Sequence, residues 1–136
     1  MKTDTPHILI LGVLVTALLT TGVFSADSRT CSVCGMIADE AAPFTAKIVD
    51  GKKIAYFCDI GDLLIYLKGA TAGRSFAYVK DYQSGEWIGA AAAHYVKAPR
   101  RFTTPMGWSI AAFRDRRAAG EYGTAIDLET VLKDLK

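Results

Sequence analysis

Cysteine is scarce: three residues among 136 are too few to build a disulfide scaffold in place of a core. Histidine is scarcer still, with His7 and His94 alone, so a closed four-ligand zinc site has little to draw on. No charge of one sign dominates either. The 16 Lys and Arg against 14 Asp and Glu leave a net +2, too weak a field to gather phosphates, which argues against nucleic acid as a partner. The composition of a disordered chain is also missing, because 51% hydrophobic and 22% charged residues are a globular mixture. The length admits one ordinary domain and not two independent cores.

Only one long hydrophobic run is present, Ile8 to Phe24, 17 residues without a charge. As a helix it reaches roughly 25 Å, slightly short of the roughly 30 Å hydrocarbon core of a bilayer. Lys2 precedes it, and Val23 and Ser25 stand as the −3 and −1 residues of a signal-peptidase site. Cleaved signal peptide and retained membrane anchor are both open, and either one exports the C-terminal remainder of the chain. Residues 1–26 are therefore read as the export segment and 27–136 as a single domain in an oxidising, periplasmic space.

Within that domain the pattern is mixed. Thr45–Val49 and Lys53–Cys58 flank Asp50-Gly51, the turn chemistry of a hairpin, with Ile54, Tyr56 and Cys58 on one face of the second strand. Asp59 then caps a helix whose apolar residues Ile60, Leu63, Leu64 and Leu67 recur at i, i+3, i+4 and i+7, with Gly69 as its stop. Ser75–Val79 reads as a returning strand, and Asp81 to Gly85 as a polar turn. The second half repeats this order: strands His94–Lys97 and Trp108–Phe113, a helix near Asp115–Tyr122, then Thr124–Ile126. Phe57-Cys58-Asp59 and Phe113-Arg114-Asp115 anchor the comparison. The expected fold is α+β, a single small domain of two similar β-β-α-β halves, closed by a final helix that Asp127 caps and that carries Leu128, Val131, Leu132 and Leu135.

The chemistry concentrates in Cys31-Ser32-Val33-Cys34-Gly35-Met36. Two thiolates three positions apart grip one ion, and the thioether of Met36 adds a third soft donor, a set that suits Cu(I) better than a hard cation. Competing readings are a redox-active C-x-x-C pair, a structural disulfide between Cys31 and Cys34, and a zinc site completed by Cys58 and His94. Met106, between Pro105 and Gly107 in a loop, is either a fourth soft donor or a filler of a core gap. His94, at the start of an apolar strand, is a ligand or a half-exposed strand residue. Cys58 reads as a buried small hydrophobe, and Arg114, Arg116 and Arg117 as a solvated helix face.

Taken together, Cys34-Gly-Met36, the Asp-Ile-Gly-Asp stretch from Asp59, Gly85-Glu-Trp-Ile followed by Ala93-His-Tyr-Val96, and Pro105-Met-Gly107 resemble the NosL family, accessory proteins of nitrous oxide reductase, over about residues 30 to 130. The resemblance implies an exported Cu(I) metallochaperone of α and β type with two related halves, not an enzyme. It implies Cys34 and Met36 as ligands, with Met106 and His94 at the family's Met-Gly and Ala-His-Tyr-Val positions and Cys31 beside them. The implied partner is a copper-accepting exported protein or membrane copper-transport complex, with nitrous oxide reductase as client. One departure stands out. Lipoprotein members carry a cysteine at the signal cleavage site, and none lies near Ser25 or Ala26, so the apolar segment itself would have to supply any membrane attachment. The alternative function is a thiol-disulfide partner using Cys31 and Cys34.

Overall fold

The computed structural model describes residues 29–70, 74 and 76–136. The export segment and Ser75 lie outside the described residues. Among those described, no helix is long and apolar enough to cross a membrane.

The hairpin forms where the turn chemistry places it. Strand β1 (Ala46–Asp50) pairs antiparallel with β2 (Lys53–Phe57) from Ala46↔Phe57 to Asp50↔Lys53. The two-residue loop is Gly51-Lys52, one position later than Asp50-Gly51. Helix α1 (Ile60–Gly69) comes next, with the Asp59 carboxylate accepting the Gly61 N–H as its cap. Its apolar stripe is fully buried: Ile60, Leu63, Leu64 and Leu67 pack against Phe57, Val79 and Ile110. Such burial stabilises by about 1.5–3 kcal/mol per large aliphatic side chain. Strand β3 (Ala77–Lys80) returns to pair antiparallel with the other side of β1, and β4 (Trp87–Gly89) extends the sheet to the order β2-β1-β3-β4.

A single 3-10 turn (Ala90–Ala92) leads to β5 (His94–Lys97), which pairs antiparallel with β6 (Ile110–Phe113) in a two-stranded sheet. Helix α2 (Arg116–Gly120) is capped by Asp115, and an antiparallel bridge sets Ile126 on the free side of β5 at Tyr95. The two halves therefore share a plan. In each, the first strand is central, the second ends on Phe, an Asp cap comes after it, and the chain returns beside the first strand. Helix α3 (Leu128–Asp134) is capped by Asp127 and adds Leu128, Val131 and Leu132 to the main core. The expected α+β domain of two β-β-α-β halves is what forms. Trp108 and Ser109, expected in a strand, stay outside β6, and Ser109 takes φ 56°, a left-handed conformation that no ladder accommodates.

A second apolar cluster lies on the other side of the β5-β6 sheet. Phe102, Phe113 and Tyr122 meet Phe44 and Tyr82 there, with ring centroids 5.0 Å apart for Tyr82 and Phe102. Asp81 holds the two sheets together. Its Oδ1 accepts the Arg114 N–H at 3.0 Å, and its Oδ2 accepts the Ser84 N–H at 3.1 Å and the Ser84 hydroxyl at 2.6 Å. Burial pushes this carboxyl up, but the hydrogen bonds from Ser84 and the Arg114 backbone outweigh it and hold it below the ordinary value.

Asp81→Ala is accordingly expected to cost about 3 kcal/mol in urea unfolding, because it removes a buried charged acceptor that serves three donors. The lowered carboxyl contributes stability that is present above the ordinary Asp value and is lost as pH falls through the lower, folded value. The melting temperature of the wild type should thus fall more steeply below about pH 4 than that of Asp81→Asn. Parallel acid profiles would contradict this role.

Candidate metal centre

The Cys31–Met36 segment is a tight loop docked on the hairpin. The Gly35 N–H donates to the Cys31 carbonyl at 2.9 Å, and the Cys31 N–H to the Met36 carbonyl at 2.7 Å. Gly35 stands at φ 75°, where a side chain would strain the backbone. Thr30↔Ile37 closes the loop, while Cys31↔Tyr56 and the Ser32 N–H on the Tyr56 carbonyl at 2.8 Å fasten it to β2. Because β2 ends at Phe57 and α1 begins at Ile60, Cys58 sits at the corner beneath this loop, and Asp62 lies four residues on, in the first helical turn.

Three thiols and a carboxylate meet there. The Sγ atoms of Cys34 and Cys58 are 3.4 Å apart, and Asp62 Oδ2 lies 3.8 Å from Cys31 Sγ and 3.9 Å from Cys58 Sγ. The ligand atoms of Cys31, Cys34, Cys58 and Asp62 all fall within 4.8 Å of one another. All three cysteines are free, Cys31 and Cys58 buried and Cys34 at the surface. The other oxygen of Asp62 accepts the Trp108 indole N–H at 2.9 Å. Asp59 ties in the neighbouring loop, accepting the Met106 N–H at 2.9 Å.

The thiols differ in readiness. Burial pushes Cys31 up, but the backbone N–H groups of Cys58, Cys34 and Val33 and the Cys34 thiol outweigh it, so Cys31 is held below the ordinary thiol value. Burial pushes Cys58 well above that value, helped by its hydrogen bonds to Cys34 and Cys31 and the charge they carry. Cys31 is thus the more readily ionised of these two thiols, and Cys58 holds its proton more tightly. Three sulfurs make a donor set that favours a soft ion such as Cu(I) over a hard one.

Of the residues singled out from sequence, Cys31 and Cys34 come together in this cluster. Met36 ends the same loop and Met106 is pinned by its backbone N–H to Asp59; the two residues are 44% and 41% exposed. Met106 is therefore no core filler. His94 opens β5 opposite Phe113, outside the thiol group, half-buried with an Nδ1 that has no hydrogen-bond partner. Cys58 is buried as expected, but its sulfur faces Cys34 and not the main core, joining Cys31, Ala38 and Tyr56 in a small cluster of its own. Asp62 is the member that sequence reasoning misses altogether. Two signals could have found it: Asp62 closes the Asp-Ile-Gly-Asp stretch, and the Cys58–Asp62 spacing of i, i+4 across a helix start aligns two side chains.

A soft-donor α+β domain is the class of protein that this fold and this cluster define. The family model NosL matches residues 23–127. The chain belongs to the NosL family. The crystal structure of the copper chaperone NosL from Shewanella denitrificans shares the fold, with a TM-score of 0.61 at 21% identity over 74% of this chain and 87% of that one. No curated protein matches the sequence.

Proposed function

We propose that this protein is an exported Cu(I) metallochaperone, a carrier and not an enzyme. Residues 8–24 take it to the periplasm and, where uncleaved, keep it at the inner membrane. Its client is a copper-accepting exported protein or a membrane copper-transport complex, and family membership favours nitrous oxide reductase as the destination. The observation that carries this reading is the packing of Cys34 against Cys58 in a loop that also presents Met36. A thiolate and a thioether at the surface bind Cu(I) and still let an acceptor's ligands reach it. Exposed Val33 and Ile37 in the same loop give the acceptor an apolar rim. The thiol-disulfide reading has less support: residues 32–34 form a turn, not the helix start that activates a C-x-x-C thiol.

A competition titration of the reduced protein with Cu(I) and Zn(II) tests the assignment. One Cu(I) should bind far more tightly than Zn(II), and equal affinities would overturn it. Met106→Leu tests the second loop, since it keeps volume while deleting the sulfur. Its melt should stay within about 1.5 kcal/mol of wild type, and Cu(I) affinity should fall by less than tenfold. Unchanged affinity would remove Met106 from the site.

A further inference from the structure

The thioether-flanked Cys34 at the surface leaves two thiols unused. Cys31 and Cys58 are 3% and 4% exposed, and in an oxidising compartment a free buried thiol with no task is a liability. We infer that Cys31 and Cys58 complete, with Cys34, a trithiolate seat for Cu(I) beneath the exposed Cys34-x-Met36 pair, so that the ion has two overlapping positions sharing Cys34. The inference rests on the Cu(I) reading above and adds to it an inner position.

Four features support the seat. The three sulfurs already lie within 4.8 Å of one another, so closing on one ion needs only small side-chain rotations. They come from two elements that are rigidly joined, the 31–36 loop and the β2–α1 corner, through Cys31↔Tyr56 and the Ser32–Tyr56 hydrogen bond. Backbone N–H groups of Val33, Cys34 and Cys58 are directed at Cys31, which is how a protein meets the negative charge of a metal-bound thiolate. Asp62 contacts both buried sulfurs and is itself fixed by the Trp108 indole. As a hard carboxylate it orients the thiols and does not compete for a soft ion. Each thiol that still carries a proton releases it when the ion enters. Cu(I) held on three sulfurs is protected from solvent, and sliding outward onto Cys34 and Met36 exposes it to an acceptor without a dissociated intermediate.

The test is a Cu(I) competition titration on the full chain and on Cys31→Ser, Cys58→Ser and a Met36→Leu/Met106→Leu double variant, with circular dichroism as the check on folding. X-ray absorption of the Cu(I)-loaded proteins then counts the sulfurs bound. Cys31→Ser and Cys58→Ser should each lose at least tenfold in affinity, and the double methionine variant less than either. That double variant should still show three sulfurs around copper. It leaves every cysteine in place, so it decides the question even if Cys58→Ser does not fold. Wild-type affinity in both serine variants, or a fall to one sulfur in the double methionine variant, would overturn the seat while leaving the carrier function standing. Failure of the wild type to bind Cu(I) at all would overturn both.

Discussion

Cys34→Ser is expected to lower Cu(I) affinity at least about a hundredfold, the largest loss of any single substitution at the site. Removing a partner that merely orients a ligand costs about 10–100-fold, and on the proposed assignment this change removes a ligand itself, replacing polarizable sulfur with a hydroxyl that has little affinity for Cu(I). Position adds to the effect. Cys34 is the one surface cysteine of the three, its sulfur 3.4 Å from that of Cys58 and two residues from Met36, so the proposed outer pair and the proposed inner seat would lose it together. Stability should barely move, since exposed substitutions are usually within about 0.5 kcal/mol. The measurement is a competition titration beside a thermal melt, with Cys31→Ser as the comparison. A larger loss from Cys31→Ser would show that the C-x-x-C pair, and not Cys-x-Met, is the primary unit.

The parts of this molecule that sequence exposes are those built from local signals. The hairpin and α1 are legible because turn residues, an Asp cap and a 3.6-residue apolar period coincide within 20 or so residues. The internal repeat is legible through Phe57-Cys58-Asp59 and Phe113-Arg114-Asp115, each marking a strand end and a helix cap. Strand β4 is not, since three residues are too few to show alternation, and its pairing with β3 is purely tertiary. Trp108 and Ser109 look like strand by composition, but the indole is drawn to Asp62 and Ser109 turns the chain. The site divides in the same way. Cys31, Cys34 and Met36 are visible because one short loop carries them. Cys58 and Asp62 join it only because the loop docks on Tyr56, a contact across 24 residues of sequence between Ser32 and Tyr56. The repeat even obscures Cys58: its counterpart in the second half is Arg114, whose backbone serves Asp81 and no metal cluster.

The orientation of Asp62 depends on how closely Trp108 approaches α1 at Gly61, and Gly61→Ala should break that contact. A Cβ at position 61 would stand 1.9 Å from Trp108 Cγ and 2.4 Å from Trp108 Cβ, so the stem of the indole is in the way, not a flexible tip. Trp108 must leave, and with it the Nε1–H bond to Asp62. Overpacking costs about 1–3 kcal/mol and a hydrogen bond to a charged group about 1.5–3 kcal/mol. The better helix propensity of Ala returns at most about 1 kcal/mol. The net expectation is a loss of about 3 kcal/mol, which for a domain of this size lowers the melting temperature by about 15 °C. Freed from Trp108, Asp62 no longer orients Cys31 and Cys58, so Cu(I) affinity should fall by about tenfold as well. Adding Trp108→Leu separates the two causes, because the double variant relieves the crowding but cannot restore the indole N–H. It should recover only the share of stability lost to crowding, about 1–3 kcal/mol, and none of the lost affinity. An unchanged melt for Gly61→Ala would mean that Trp108 does not rest on α1, and recovery of both properties in the double variant would mean that Asp62 needs no partner to hold the thiols.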